Sequence, residues 1–137
     1  MAKRGTVAAS IMYCFAPEYR FPSAIENVKG AIRFLKAHSR ELNLDPNRIV
    51  VAGVSAGGYL ATIVGITGNA TGFSEHCIYP NFDSSVRAVI SQSESSADFT
   101  RAEYQDFILV KRFIHIDEPD RNTALAAMSP KTYLDKK

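Results

Sequence analysis

The stretch IVVAGVSAGGYLA, residues 49–61, constrains the fold of this chain more than any other part of its sequence. Residues 48–53 form an apolar run without polar alternation, which is typical of a parallel strand covered on both faces. A helical pattern follows from Ala56 to about Gly65. The chain must therefore change from strand to helix within a very few residues. This turn is expected to strain the backbone at Ser55.

Ser55 is predicted to project above the carboxyl end of the sheet. Its surroundings match the pattern G-x-S-x-G between a strand and a helix, the context of a nucleophilic serine. Gly53 and Gly57 are expected to leave room for the helix and the strand to approach closely, and Gly58 adds a further small residue. The helix that begins at Ala56 directs free N–H groups to this point, so the Ala56 N–H is predicted to form half of an oxyanion hole. The structural alternative is a tight turn with a solvent-capping serine.

The rest of the sequence predicts alternating strands and helices, and hence an α/β fold with a parallel sheet. The first helix has a predicted capping box of Ser23 and Glu26, and its lysines and arginines lie mostly off the apolar face. The Asp-Pro turn of NLDPNR is expected to end it. The predicted strands are residues 7–13, 48–53 and 86–91, and the predicted helices are residues 21–42, 56–65, 102–113 and 123–128.

The segment GVSAGGYLA resembles the nucleophile elbow of α/β-hydrolase esterases, in the G-x-S-A-G-G form of the hormone-sensitive-lipase-like and feruloyl/acetyl-xylan-esterase branches. YCFAPEYRFPSA and LDPNRIVV are similar to that family's Y-R-x-A-P-E, F-P-A and D-P-x-R-I segments, and VRAVISQSESSADFT and AAMSPKTYLDKK resemble the segments after the elbow helix. The resemblance covers nearly the whole chain from about Val7. It implies a partial α/β-hydrolase fold, with a parallel sheet core flanked by helices, and a carboxylic-ester hydrolase in which Ser55 forms an acyl-enzyme.

Several parts of that family's active site have no matching positions. No H-G-G oxyanion loop occurs, and the family's acid and histidine would follow Lys137. A complete hydrolase domain needs roughly 200–250 residues, so residues 1–137 are expected to form one incomplete domain that hydrolyses simple esters poorly by itself. Glu94 and His115 follow Ser55 in the order acid, then histidine, that the fold uses, so they are candidate substitutes for the missing acid and histidine. The alternative is that they are solvated charges in loops. His38 and His76 are placed away from the elbow.

Two other functions stay open on the sequence. One is a truncated, inactive hydrolase-like protein that acts as a binding or assembly module, and the other is an acyltransferase or peptidase that uses the same elbow. The net charge of +2 does not favour nucleic acid or a membrane as a partner, and no apolar stretch approaches the length of a bilayer span.

The expected partner is instead a small-molecule or carbohydrate ester, with no cofactor and no metal. Cys14 and Cys77 are predicted to be free thiols. The lack of an evident signal peptide favours the cytoplasm. Uncovered sheet edges predict self-association.

Overall fold

Two parallel strands and the helix between them form the centre of the fold in the computed structural model, which describes residues 5–69, 73, 78–93, 98–114 and 120–134. The strands pair in parallel, from Val50 opposite Ala88 to Val54 opposite Gln92. The predicted strand–helix–strand crossover is therefore confirmed. In chain order the described elements are α1 (Ser23–Ala37), β1 (Val50–Val54), α2 (Ala56–Thr67), β2 (Ala88–Gln92), α3 (Ala102–Gln105), α4 (Ile108–Phe113), α5 (Arg121–Met128) and α6 (Lys131–Leu134).

Helix α2 packs on the sheet at very short range. A Cβ at Gly65 would overlap a methyl group of Val89 on β2, so glycine is required where the helix crosses this strand. Burial of each aliphatic side chain between the helices and the sheet stabilises the fold by about 1.5–3 kcal/mol. The two helices α1 and α2 share the main core, which contains Ala24, Ile25, Val28, Ile32, Leu60, Ile63, Val64 and Phe73. A second cluster joins the later helices and contains Phe99, Val110, Ile114, Leu125 and Met128.

The charged side of α1 is buried, contrary to the amphipathic pattern of its sequence. Lys29, Arg33 and Lys36 are all buried. The Lys36 Nζ lies 2.6 Å from a carboxylate oxygen of Asp83. Burial would raise the pKa of Asp83, but hydrogen bonds from Lys36 and Ser85 outweigh this effect and lower the pKa to about 2. Buried charges need such partners, which the loop after α2 supplies here.

The start of α1 also differs from the prediction. Ser23 is the first helical residue instead of the N-cap, and Pro22 occupies the capping position without a side-chain hydrogen bond. The predicted capping box of Ser23 and Glu26 is therefore wrong. The helix ends at Ala37, five residues before the predicted end at residue 42, and turns follow over residues 38–43. The Asp-Pro turn itself forms, with the Asn47 N–H donating to the Asp45 carboxylate over 2.9 Å.

Residues 7–13 do not form the predicted strand. Val7 is exposed, and Ile11 and Tyr13 only pack against the edge of the core. Within the described ranges the sheet has two strands, so this segment has no neighbour to which its backbone could pair.

The expectation of a sheet covered on both faces is also wrong for the described part of the chain. Helix α2 covers the face that carries Val51 and Gly53. Successive side chains of a strand point to opposite faces, so Val54 and Ile90, the partner of Ala52, lie on the other face, where both are exposed. An apolar run in the sequence indicates burial but does not show which element provides the cover.

The predicted helix over residues 102–113 is interrupted. Phe107 has an extended backbone with φ −67° and ψ 124°, and this conformation separates α3 from α4. The break lets Val110 and Ile114 enter the second cluster. Among the described residues no helix is long and apolar enough to cross a bilayer.

Lys29 ties α1 to the end of α2. Its Nζ donates a hydrogen bond to the Gly68 carbonyl oxygen over 2.8 Å and lies 5.1 Å from the centre of the Phe73 ring. Positive charge is favourable at the C-terminal end of a helix, where carbonyl groups lack partners. Burial, followed by the neighbouring Arg33, lowers the pKa of Lys29 from its ordinary value of 10.5 to about 8.

We expect Lys29 to make folding more favourable as the pH rises from 8 to 10.5. Its folded pKa lies below its unfolded pKa, so the unfolded chain binds more protons in this window. The test is the free energy of unfolding of wild-type protein minus that of Lys29→Met, measured by urea titration across the window. The difference should increase with pH. The Ser84 hydroxyl also donates to the Gly68 carbonyl oxygen, over 2.8 Å, so this oxygen keeps a donor in the variant. Lys131→Met, at an exposed lysine, is the matched control. A flat difference would contradict the assignment.

Candidate active site

Ser55 occupies the turn between β1 and α2 in a strained conformation. Its φ is 53° and its ψ is −119°, a region that residues with a Cβ rarely adopt. Such a conformation costs on the order of 1–3 kcal/mol and persists only where the surrounding structure fixes it. Two backbone hydrogen bonds do so: the Ser55 N–H donates to the Gln92 carbonyl over 2.9 Å, and the Tyr59 N–H donates to the Ser55 carbonyl over 3.0 Å.

The Ser55 side chain is exposed and makes no capping hydrogen bond to α2. The alternative of a capping serine therefore lacks its defining contact. Ala56, the first residue of α2, is also exposed. The Ser55 N–H is already bonded to β2, whereas the amides of the first helical turn have no partner within the helix. Ala56 thus remains the amide that would serve an oxyanion beside Ser55, and this role stays a prediction.

The glycines of the turn have unequal roles. A Cβ at Gly53 would overlap the carbonyl group of Gly57, and a Cβ at Gly58 would lie 2.9 Å from the Gln92 carbonyl oxygen. A Cβ at Gly57 would meet nothing within 4 Å. The expectation that Gly57 leaves room for the close approach is therefore wrong for its side-chain position, which faces open space; Gly57 contributes only its backbone to the contact. Gly53 and Gly58 are the residues that permit the close approach.

The substitute partners Glu94 and His115 lie outside the described residues, as do His76 and Cys77. Their participation stays a prediction. His38 is described, at the end of α1. Its ring nitrogens lie 3.0 Å from a Glu41 carboxylate oxygen and 3.1 Å from the Tyr79 hydroxyl. These contacts assign His38 to a surface cluster.

In the described ranges, no three histidine, cysteine or acidic residues lie close enough together to hold a metal ion. Cys14 is a half-buried free thiol.

Tyr59 is a contributor that the sequence pattern did not single out. Its ring packs edge-on against Phe99 and Phe113, with centroids 5.5 and 6.0 Å away. Its hydroxyl donates to the Met128 carbonyl oxygen over 2.8 Å. Tyr59 thereby joins the first turn of α2 to the segments after β2 and at the end of α5. The only sequence signal was an aromatic residue directly after the glycine pair.

Comparison with known proteins decides the family. The BD-FAE family model matches residues 1–137. The chain belongs to the BD-FAE family. Esterase LipC of Mycobacterium tuberculosis is 35% identical over 113 residues, a match that covers 79% of this chain and 28% of LipC. This BD-FAE chain thus spans less than a third of the length of that relative.

Solved structures give the same fold. A truncated carbohydrate esterase from gut microbiota superposes with a TM-score of 0.69 at 22% identity, over 88% of this chain and 47% of that protein. An esterase of Thermogutta terrifontis, Est2, superposes with a TM-score of 0.62 at 25% identity, over 85% of this chain and 39% of Est2. The BD-FAE chain therefore has a partial α/β-hydrolase fold of the esterase type, as its sequence predicted.

Proposed function

We propose that the protein is a carboxylic-ester hydrolase in which the Ser55 hydroxyl oxygen attacks the ester carbonyl carbon. The observation that carries the proposal is the exposed hydroxyl on a non-glycine residue with φ 53°, placed between β1 and the N-terminus of α2. Strain of this kind clusters at active sites, where it fixes a reacting group in place. Membership of an esterase family supports the same chemistry.

The reaction divides into two halves. In the first half, a base accepts the proton of the Ser55 hydroxyl while the Ser55 oxygen bonds to the carbonyl carbon of the ester. The alcohol then leaves with a proton, and an ester of Ser55 remains. Water then attacks this acyl-enzyme and releases the acid. The Ala56 N–H and the positive end of α2 stabilise the negative oxygen in both halves, and one such donor is typically worth ~10²–10³-fold in turnover. By the family resemblance the acid and the base would follow Lys137; Glu94 and His115 are the substitute partners within this chain.

We assign a small-molecule or carbohydrate ester as the substrate class. Relatives include an esterase by name and, at 26% identity, a protein of Bacteroides eggerthii described as a bifunctional GH43-CE. These names belong to those proteins, and the match covers only 17% of the latter. Self-association through the uncovered part of the sheet stays a prediction.

The test is labelling of the full-length protein with a fluorophosphonate, which loses fluoride as the serine oxygen bonds to phosphorus. We expect one adduct, mapped by mass spectrometry to Ser55, and no adduct in Ser55→Ala. Ser10→Ala is the matched control, because Ser10 is an exposed serine away from the turn. Equal labelling of Ser55→Ala, or an adduct elsewhere, would refute the proposed nucleophile.

A further inference from the structure

Ser93 follows β2 in the same way that Ser55 follows β1. The last pair of the parallel ladder is Val54 with Gln92, so the next residue on each strand is a serine. The hydrogen bond of 2.9 Å from the Ser55 N–H to the Gln92 carbonyl oxygen continues the ladder up to Ser93. Neighbouring strands are about 4.8 Å apart. Ser93 is therefore the lateral neighbour of the proposed nucleophile at the carboxyl end of the sheet.

The backbone of Ser93, like that of Ser55, has a positive φ, which is unfavourable for a residue with a Cβ. Its φ is 57°, compared with 53° at Ser55. Two other non-glycine residues in the described ranges have positive φ, Asn43 and Tyr79, and both lie outside the sheet. Asparagine adopts this conformation with little cost, whereas serine has no comparable preference. The two strained serines therefore stand side by side at adjacent strand ends.

Close packing holds the two residues that precede Ser93 against α2. At Gly58, in the first turn of α2, a Cβ would lie 2.9 Å from the Gln92 carbonyl oxygen and 3.0 Å from the Ser91 hydroxyl oxygen. The first turn of α2, which carries the proposed oxyanion donor Ala56, thus packs closely against the last residues of β2. Ser93 itself is exposed. Its hydroxyl, which can both donate and accept hydrogen bonds, is available beside the reacting centre.

We propose that the Ser93 hydroxyl donates a hydrogen bond to the alkoxy oxygen of the ester bound at Ser55 and so contributes to selectivity for the leaving alcohol. This inference rests on the proposed function. An ester has two oxygens, and the carbonyl oxygen is directed to the Ala56 N–H. The alkoxy oxygen is the remaining acceptor of the reacting group. A donor there helps most when the departing alcohol is strongly basic, because more negative charge develops on its oxygen.

The test compares two acetate esters in the full-length protein: ethyl acetate, whose alcohol is strongly basic, and p-nitrophenyl acetate, whose phenol is weakly basic. In Ser93→Ala, the ratio of kcat/KM for ethyl acetate to that for p-nitrophenyl acetate should fall about 3- to 10-fold, the range of one lost hydrogen bond. Ser93→Gly should show the same fall, and glycine accepts the positive φ, so folding is preserved. Asn43→Gly, at the remote positive-φ residue, is the control with an unchanged ratio.

The outcomes separate the two proposals. If wild-type protein takes no fluorophosphonate at Ser55, the proposed function fails, and the role of Ser93 fails with it. If Ser55 is labelled but neither ester is hydrolysed, the role of Ser93 alone is overturned. If wild-type protein is active and the ratio is the same in Ser93→Ala, Ser93→Gly and Asn43→Gly, only the role of Ser93 is overturned. A merely structural role would lower kcat/KM for both esters equally and leave the ratio unchanged.

Discussion

Replacing Ser55 with glycine is expected to abolish ester hydrolysis and, at the same time, to raise the free energy of unfolding relative to Ser55→Ala. Both variants lose the nucleophile, so the turnover that the wild type shows should fall to the background rate. They differ in the backbone. At φ 53° alanine keeps the steric conflict of a Cβ, whereas glycine removes it. Glycine also gives the unfolded chain more conformational entropy, which offsets part of this gain. The free energy of unfolding of Ser55→Gly should still exceed that of Ser55→Ala by about 1 kcal/mol.

The measurement is turnover of p-nitrophenyl acetate by the full-length protein together with urea unfolding of the two variants. Asn43→Gly is the matched control, since Asn43 has a φ of 50° far from the strand end. It should retain full turnover and gain little stability, because asparagine already tolerates this region. If Ser55→Gly is less stable than Ser55→Ala, the turn is not strained in solution. If either variant retains wild-type turnover, Ser55 is not the nucleophile.

The strand–turn–helix around Ser55 was predictable because each part has a local signal. An apolar run, a glycine before the serine and a helical pattern after it agree on one structure, and the parallel partner β2 follows from the handed crossover. The position of Ser55 required no knowledge of distant contacts. The exposed serine at the start of α2 therefore follows from the sequence alone.

The errors arose where the structure depends on partners that a local pattern does not contain. Residues 7–13 have the composition of a strand, but no described strand lies beside them to complete a ladder. Lys36 was expected outside the apolar face of α1, yet its side chain is buried and pairs with Asp83, 47 residues later. The positive φ of Ser93 was likewise not predicted from the sequence.

The glycines of the turn give the sharpest test of the geometry, because Gly53 and Gly57 should respond in opposite ways to the same added methyl group. A Cβ at Gly53 would overlap the Gly57 carbonyl group. The obstacle is backbone, which cannot rotate away as a side chain would, so the first turn of α2 must move relative to β1. We expect Gly53→Ala to lower the free energy of unfolding by about 3 kcal/mol, the upper end of the usual cost of overpacking.

Gly57→Ala should instead leave stability unchanged or raise it by up to about 1 kcal/mol, the helix preference of alanine over glycine. Its Cβ would meet no atom within 4 Å. Urea unfolding of the two variants beside the wild type measures both effects. Equal destabilisation by the two substitutions would show that the turn differs from the structure. The displacement of α2 in Gly53→Ala would also change the direction of the Ala56 N–H relative to the Ser55 hydroxyl, so turnover should fall in that variant and persist in Gly57→Ala.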